Sequence, residues 1–465
     1  MTIQSRDRVV SPPPASAANF GLCLAALAIG LALIWAIAPG NDFPLRDWLA
    51  YEPIIPCLGI VLVIAVAERA FPRLRSPSAT GLSDRRLRAL DLQRVGVRLC
   101  GLALTLALVA FAYWLFPEYR GSFYDPFWRF LRTIAPVAVL VPFYFAWTDT
   151  RSLEARDEYQ AFGSLLCGGR QPGDFALIRR HLLGWTVKSF FLPLMTVYLS
   201  DELRALYGAL AIVSPHTMPV YNVCYHVAYA IDLLFCVVGY STAIRLFDAE
   251  IRSTEPTMAG WVAALICYQP FLSVIGRFYL QYDDNLFWDN WLAGIPVLRV
   301  VWAASIVALA LIYAICTASF GLRFSNLTHR GIITSGPYRF SKHPAYLAKN
   351  LSWWMISIPF VSALGPAAAL RNSCLLALLN LVYFARARTE ERHLSRDPVY
   401  VAYALWMNEH GLLRELGRAF PFLRYRPPGE PAAPAEPPAP TERSSLRPTR
   451  SRSDCGSEKP RRRTR

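Results

Sequence analysis

The sequence predicts an all-α, polytopic transmembrane helical bundle, and three observations carry that prediction. Hydrophobic residues make up 54% of the 465 positions and charged residues only 17%, with a mean hydropathy of +0.28; a soluble chain averages about 25% charged residues. The apolar residues come in long runs and do not alternate with polar ones. The arginines gather in particular loops between those runs. Backbone groups find no water in hydrocarbon, so runs of this kind must close their hydrogen bonds internally as helices. A barrel would show short alternating stretches instead.

A span needs roughly 20 mostly apolar residues. About ten segments qualify or come close: 18–38, 53–68, 99–116, 131–148, 186–200, 221–243, 259–276, 296–318, 346–363 and 367–385. Those at 53–68 and 186–200 are short enough to be re-entrant or interfacial. The first run follows a short basic N-terminus but lacks a small-residue cleavage site, which favours a retained anchor over a signal peptide.

Charge placement gives a topology. The net charge of +15 would suggest nucleic acid on a soluble protein, but here it is distributed by loop. The 69–98 loop carries Arg69, Arg73, Arg75, Arg85, Arg86, Arg88, Arg94 and Arg98, and the 319–345 loop is basic again. The 39–52 and 277–295 loops carry Asp42, Asp47, Glu52, Asp283, Asp284 and Asp289. With ten spans every arginine-rich loop falls on one side, which the positive-inside rule makes cytoplasmic, with both termini there. Membrane lipids are therefore expected partners and nucleic acid is not. The ten cysteines are scattered, with no C-x-x-C and no Cys/His cluster, so no metal is expected.

Four regions follow. Residues 1–17, with "SPPPASA", read as a flexible tail; 18–295 as an N-terminal transmembrane body; 296–423 as a second membrane domain with unusual polar joints; and 424–465 as a disordered, basic, Pro-rich tail. The arginines of that last tail could touch anionic headgroups or simply be solvated. His226 and Asp232 are ionisable at membrane depth, either functional or satisfied by a neighbouring helix.

The chemistry concentrates in two joints. The first is "TSGPYRFSKHPAYLAKNLSWW", Thr334–Trp354. Gly336-Pro337 signals a turn, and Pro344 suits a helix's first turn. His343 then sits at a helix N-terminal edge, where orphan N–H groups favour an anion. With Arg339 and Lys342 the joint reads as a carboxylate or phosphate site, or as basic residues snorkelling at the interface. The second joint, "ARARTEERHLSRDPVYVAYALW", holds Glu390 and Glu391 just after the last apolar run. Only a few residues join 346–363 to 367–385, so the two must form a hairpin that brings His343 near Glu390. Pairing of Arg386 with Glu390 at i,i+4 is the plainer account of that carboxylate.

"GPYRFSKHPAYLAKN" followed by "EERHLSRDPVYVAY" resembles the isoprenylcysteine carboxyl methyltransferase family and its phospholipid N-methyltransferase relatives, integral membrane enzymes that use S-adenosylmethionine. The matching residues are Gly336, Pro337, Tyr338, Arg339, His343, Pro344 and Tyr346, then Glu390, Glu391 and Leu394, with Tyr400 and Tyr403 approximately placed. Lys342 and Ala348 stand where the family has arginine and glycine. The resemblance implies a cytosolic cofactor site of Tyr338, Arg339, Lys342, His343, Pro344, Tyr346, Glu390 and Glu391, with His343 and Glu390 as the catalytic candidates. It also implies a lipid-like or prenylated substrate, methylated on a carboxyl or an amine. Two other readings stay open: an NADPH-dependent membrane reductase of the sterol-reductase type, and a transporter or sensor with a degenerate cofactor pocket.

Overall fold

The computed structural model describes residues 12–41, 43–44, 49–74, 81–154, 156–214 and 216–428. Most of the two expected tails, 1–11 and 429–465, lies outside them. The described chain is helical, as the sequence predicts, and its elements follow in order. They are α1 (Phe20–Ala36), α2 (Ile54–Ala70), α3 (Leu92–Leu115), α4 (Asp125–Ile134), α5 (Val141–Arg151), α6 (Glu158–Cys167), α7 (Asp174–Ala211) and α8 (Thr217–Ser241). Then come α9 (Met258–Leu265), α10 (Phe271–Phe278), α11 (Trp288–Trp291), α12 (Pro296–Ala318), α13 (Pro344–Ser357), α14 (Pro366–Leu394), α15 (Pro398–His410) and α16 (Arg414–Ala419). Two short strands, β1 (Ser253–Thr254) and β2 (Thr328–His329), pair antiparallel.

Among the described residues six helical stretches are long and apolar enough to cross a bilayer: Leu92–Leu115, Ser122–Arg151, Asp174–Ala211, Met218–Ser241, Pro296–Ala318 and Pro366–Leu394. The other four expected spans are helical but shorter. α1 and α2 have 17 residues each, about 25 Å at 1.5 Å per residue, against a hydrocarbon core of about 30 Å. The 259–276 run breaks into two eight-residue helices around Pro270. α13 stops after 14 residues at Ile358, which takes the left-handed conformation (φ +38°). Mean apolarity does not reveal such breaks.

The core lies between α7 and α8, with α1, α2, α4 and α12 against it; Phe191, Leu194, Leu199, Leu234 and Phe235 are wholly buried there. Small residues let backbones approach. A Cβ on Gly163 in α6 would sit 1.9 Å from the Val97 carbonyl of α3, and one on Gly101 would sit 2.0 Å from that of Tyr159. Outward faces stay apolar: Leu106, Phe111 and Trp114 of α3 and Leu370, Leu378 and Leu381 of α14 are exposed, which suits hydrocarbon and not water. The two ionisable groups at membrane depth are satisfied by neighbours. His226 Nδ1 lies 2.7 Å from Glu202 Oε1. Asp232 accepts from Tyr313 (3.1 Å) and Thr317 (2.5 Å) of α12.

Candidate active site

The chain leaves α12 through a loop held by one buried guanidinium. Arg330 donates to four backbone carbonyls: Ala249 (2.6 Å) and Gly239, Phe324 and Leu322 (each 2.8 Å). An irregular loop has carbonyls with no ladder partner, and Arg330 supplies the donors. The next residues run along the chain's N-terminal segment: Ala17 N donates to Ile332 O and Thr334 Oγ1 to Pro14 O. Gly336 then turns at φ +62°, and a Cβ there would lie 2.7 Å from the Phe20 ring, so both backbone conformation and space call for glycine.

His343 occupies the N-cap position of α13 and Pro344 its first turn, as the sequence predicts. α14 does not end with its apolar run at 385; it continues to Leu394. Glu390 and Glu391 therefore project from the last turns of a continuous helix and not from a joint after it. Helix continuity keeps the backbone satisfied while the side chains turn polar.

The two segments meet. Glu391, almost fully buried, receives Lys342 Nζ at 2.6 Å, His343 Nε2 at 3.2 Å and Arg388 at 2.8 Å. The Lys342 approach is close but off the axis of a good hydrogen bond. An ionised carboxylate only accepts, so Nε2 of His343 carries the proton. Burial pulls the Lys342 ammonium below its ordinary pKa, and Glu391 opposes that shift. Tyr346 stacks on the His343 ring, 5.4 Å between centroids and 4° apart, and donates to Glu390 Oε2 at 2.8 Å. The i,i+4 pair of Arg386 with Glu390 is not made. Arg386 donates instead to Asn326 Oδ1 at 2.5 Å and lies over the Tyr346 ring.

A cleft opens beside this cluster, with about 100 Å³ of enclosed space and about 970 Å³ counted out to its open mouth. Of the expected residues, Tyr338, Lys342, His343, Tyr346 and Glu390 line it. Arg339 is exposed and does not. Pro344 and Glu391 sit behind the lining, one starting α13 and the other contacting Lys342, His343 and Arg388. Tyr403 of α15 braces the motif loop by donating to the carbonyls of Tyr338 (2.6 Å) and Ser341 (3.2 Å). Ser395 and Lys342 meet Tyr425, which is buried although it falls within the expected 424–465 tail.

Several lining residues were missed from sequence. Glu255 and Tyr268 come from the N-terminal body, Tyr313 and Thr317 from α12, and Lys349 and Arg386 from the hairpin. Ser253 Oγ lies 2.8 Å from His393 Nε2, tying β1 to the end of α14. Lys349 carried a signal, being a cation about one helical turn into an apolar run, and Arg386 directly follows the end of the next run. Glu255 carried none, because its approach depends on the β1–β2 pairing. No group of three or more His, Cys, Asp or Glu side chains among the described residues could hold a metal ion.

The lining is chemically mixed. His343, Glu390 and His393 share it with Lys349 and Arg386 and with the rings of Tyr268, Tyr313, Tyr346 and Tyr383. Acids, basic groups and aromatic faces in one cleft can hold a ligand with both charged and apolar parts. The model of the isoprenylcysteine carboxyl methyltransferase (ICMT) family matches residues 297–396. That stretch runs from α12 through the motif loop and hairpin to just past Leu394. Neither the curated proteins nor the solved structures gave a match.

Proposed function

We propose that this chain is an integral membrane methyltransferase that uses S-adenosylmethionine and methylates a lipid-like acceptor. The observation that carries the reading is that the His-Pro loop and the paired glutamates meet at one cleft, inside the segment that resembles the ICMT family.

The residues present suit that cofactor. Its ammonium or ribose hydroxyls fit Glu390, which accepts only from Tyr346 and forms no ion pair among the described residues. Its carboxylate fits the first N–H groups of α13 together with the cations beside them. Its sulfonium fits the faces of Tyr346 and Tyr383. When bound, S-adenosylmethionine supplies an electrophilic methyl on a sulfur that loses its positive charge as the methyl leaves. The chain's own part is positioning and exclusion of water. Glu391 acts at one remove, fixing Lys342 and His343 on the wall. A carboxylate acceptor needs no base; an amine acceptor needs one, and His343 or Glu390 is placed to take the proton. The mouth is framed by the basic loop 319–345, so we place it on the cytoplasmic side. The acceptor reaches the cleft from the membrane between helices.

The test is binding of labelled S-adenosylmethionine to detergent-purified protein, followed by transfer of label into extracted lipids. Glu390→Ala is expected to weaken binding by about tenfold to a hundredfold, the worth of one charge-assisted hydrogen bond. His343→Ala is expected to reduce transfer. Binding untouched by both substitutions would remove the proposed site.

A further inference from the structure

The N-terminal body holds a second cavity that the reading above does not use. It encloses about 280 Å³ between the end of α5, the start of α6, the first turns of α7 and residues 243–252. Most of its charges are already paired. Arg180 binds Glu158 (2.5 Å), Arg245 binds Glu154 (2.5 Å) and Arg98 reaches Asp157 (2.8 Å). Three are not. Lys188 and Arg252 form no ion pair among the described residues. Glu250 buries Oε2 without a hydrogen-bond partner.

Lys188 is the unusual member. It falls within the apolar run of α7, a helix long and apolar enough to span a bilayer. Its Nζ sits 3.7 Å from the centre of the Trp185 ring. An ammonium at such depth is costly unless something pairs with it; here the Trp185 face lies against it and Glu158 attracts it from across the cavity, without an ion pair among the described residues. Phe145, Tyr159, Trp185 and Ile251 give the same cavity apolar walls. Lys188 and Arg252 thus offer two basic groups, and Glu250 a free acceptor oxygen, to one ligand, a set that suits a phosphodiester. The orphan oxygen of Glu250 asks for a hydrogen donor on that same ligand.

We propose that this cavity binds a phosphate-bearing headgroup that also carries a hydroxyl or ammonium donor, its phosphate on Lys188 and Arg252 and its donor on Glu250. Membrane phospholipid is one source and a free phosphate ester the other. The site is separate from the cleft of α13 and α14, though β1 lies between them: Arg252 lines one and Glu255 the other.

The experiment measures thermal stabilisation of the full, purified chain by three probes: short-chain phosphatidylglycerol, phosphatidylcholine of equal chain length, and glycerol phosphate without chains. Phosphatidylglycerol is expected to bind at least tenfold more tightly than phosphatidylcholine, which carries no donor. Lys188→Met and, in the loop, Arg252→Gln are each expected to lower its affinity tenfold or more, while Glu390→Ala leaves it unchanged. Glycerol phosphate binding as tightly as the lipid identifies the free ester as the source; much weaker binding identifies the lipid. Equal stabilisation by phosphatidylglycerol and phosphatidylcholine, or undiminished affinity in both folded variants, overturns the proposal. Should Lys188→Met fail to fold, Arg252→Gln decides alone.

Discussion

Asp149 in the N-terminal body and Glu391 at the end of α14 are both carboxylates removed from water and both are ringed by basic side chains. Asp149 is held by Arg94 at 2.9 Å and Arg98 at 3.0 Å, and Arg98 passes on to Asp157. Its partners are guanidiniums rooted in α3, and α3 is locked to α6 by the Gly101–Gly163 contact. Glu391 is held by a lysine, a histidine and an arginine, and two of these come from a loop whose other side faces a cleft. Guanidiniums never release their proton, whereas ammonium and imidazole can. The first cluster is thus fixed in charge, and only its outer member, Asp157, reaches the wall of the N-terminal cavity. The second can change protonation and adjoins open space. A buried ion pair alone is weak evidence of function; its neighbours decide.

The comparison predicts unequal costs. Asp149→Ala leaves the fully buried Arg98 with Asp157 alone and Arg94 with the more exposed Asp91 alone, and should destabilise the protein by about 3–5 kcal/mol. Glu391→Ala strands Lys342, His343 and Arg388, but Lys342 is already pulled toward its neutral form by burial, so the cost should be smaller, about 2–3 kcal/mol. Thermal unfolding of the purified variants checks the order. Folded Glu391→Ala should also lose cofactor binding, whereas folded Asp149→Ala should keep it. Equal losses of stability and binding in the two would erase the distinction drawn between the clusters.

A second pair sharpens it through the backbone. Gly163→Ala forces a methyl to within 1.9 Å of a helix carbonyl and must part α3 from α6; overpacking of this kind costs about 1–3 kcal/mol. Gly336→Ala meets the Phe20 ring at 2.7 Å and a strained φ, and should cost about 1–2 kcal/mol for the left-handed residue. Denaturation midpoints read the first effect. The second should appear as well in weaker binding of labelled cofactor, because Gly336 sets the path of the loop that carries Lys342 and His343.

What the sequence made legible was the joint itself. Proline at a first helical turn, a histidine before it and a hairpin-length apolar stretch sufficed to bring His343 to the paired glutamates. What it hid was anything set by long-range packing. Arg330 looked like one more basic loop residue, yet it ties four carbonyls together. Glu255 and Tyr268 belong by sequence to the N-terminal body and reach the cleft only through β1 and α9. Ile358 ends α13, and a break between Leu265 and Phe271 parts α9 from α10, inside runs whose average apolarity suggested full spans. Arg386 had an available partner at i,i+4 and took Asn326 instead, sixty residues away in the chain, because the loop held by Arg330 presents that amide to it.

The finest test concerns one hydroxyl. Tyr346 both stacks on His343 and donates to Glu390, so it links the two halves of the site. Tyr346→Phe keeps the ring and removes only the donor. A single neutral-donor hydrogen bond is worth about 0.5–1.5 kcal/mol net, so stability should fall by no more than that. Glu390 is then released from its only hydrogen-bond partner among the described residues. If Glu390 binds the cofactor, its orientation matters and labelled methyl transfer should drop by about threefold to tenfold with stability nearly intact. If Glu390 merely completes the fold, Tm and transfer should fall together. The split between the two measurements is the readout, and a parallel fall would return Glu390 to the same class as Asp149.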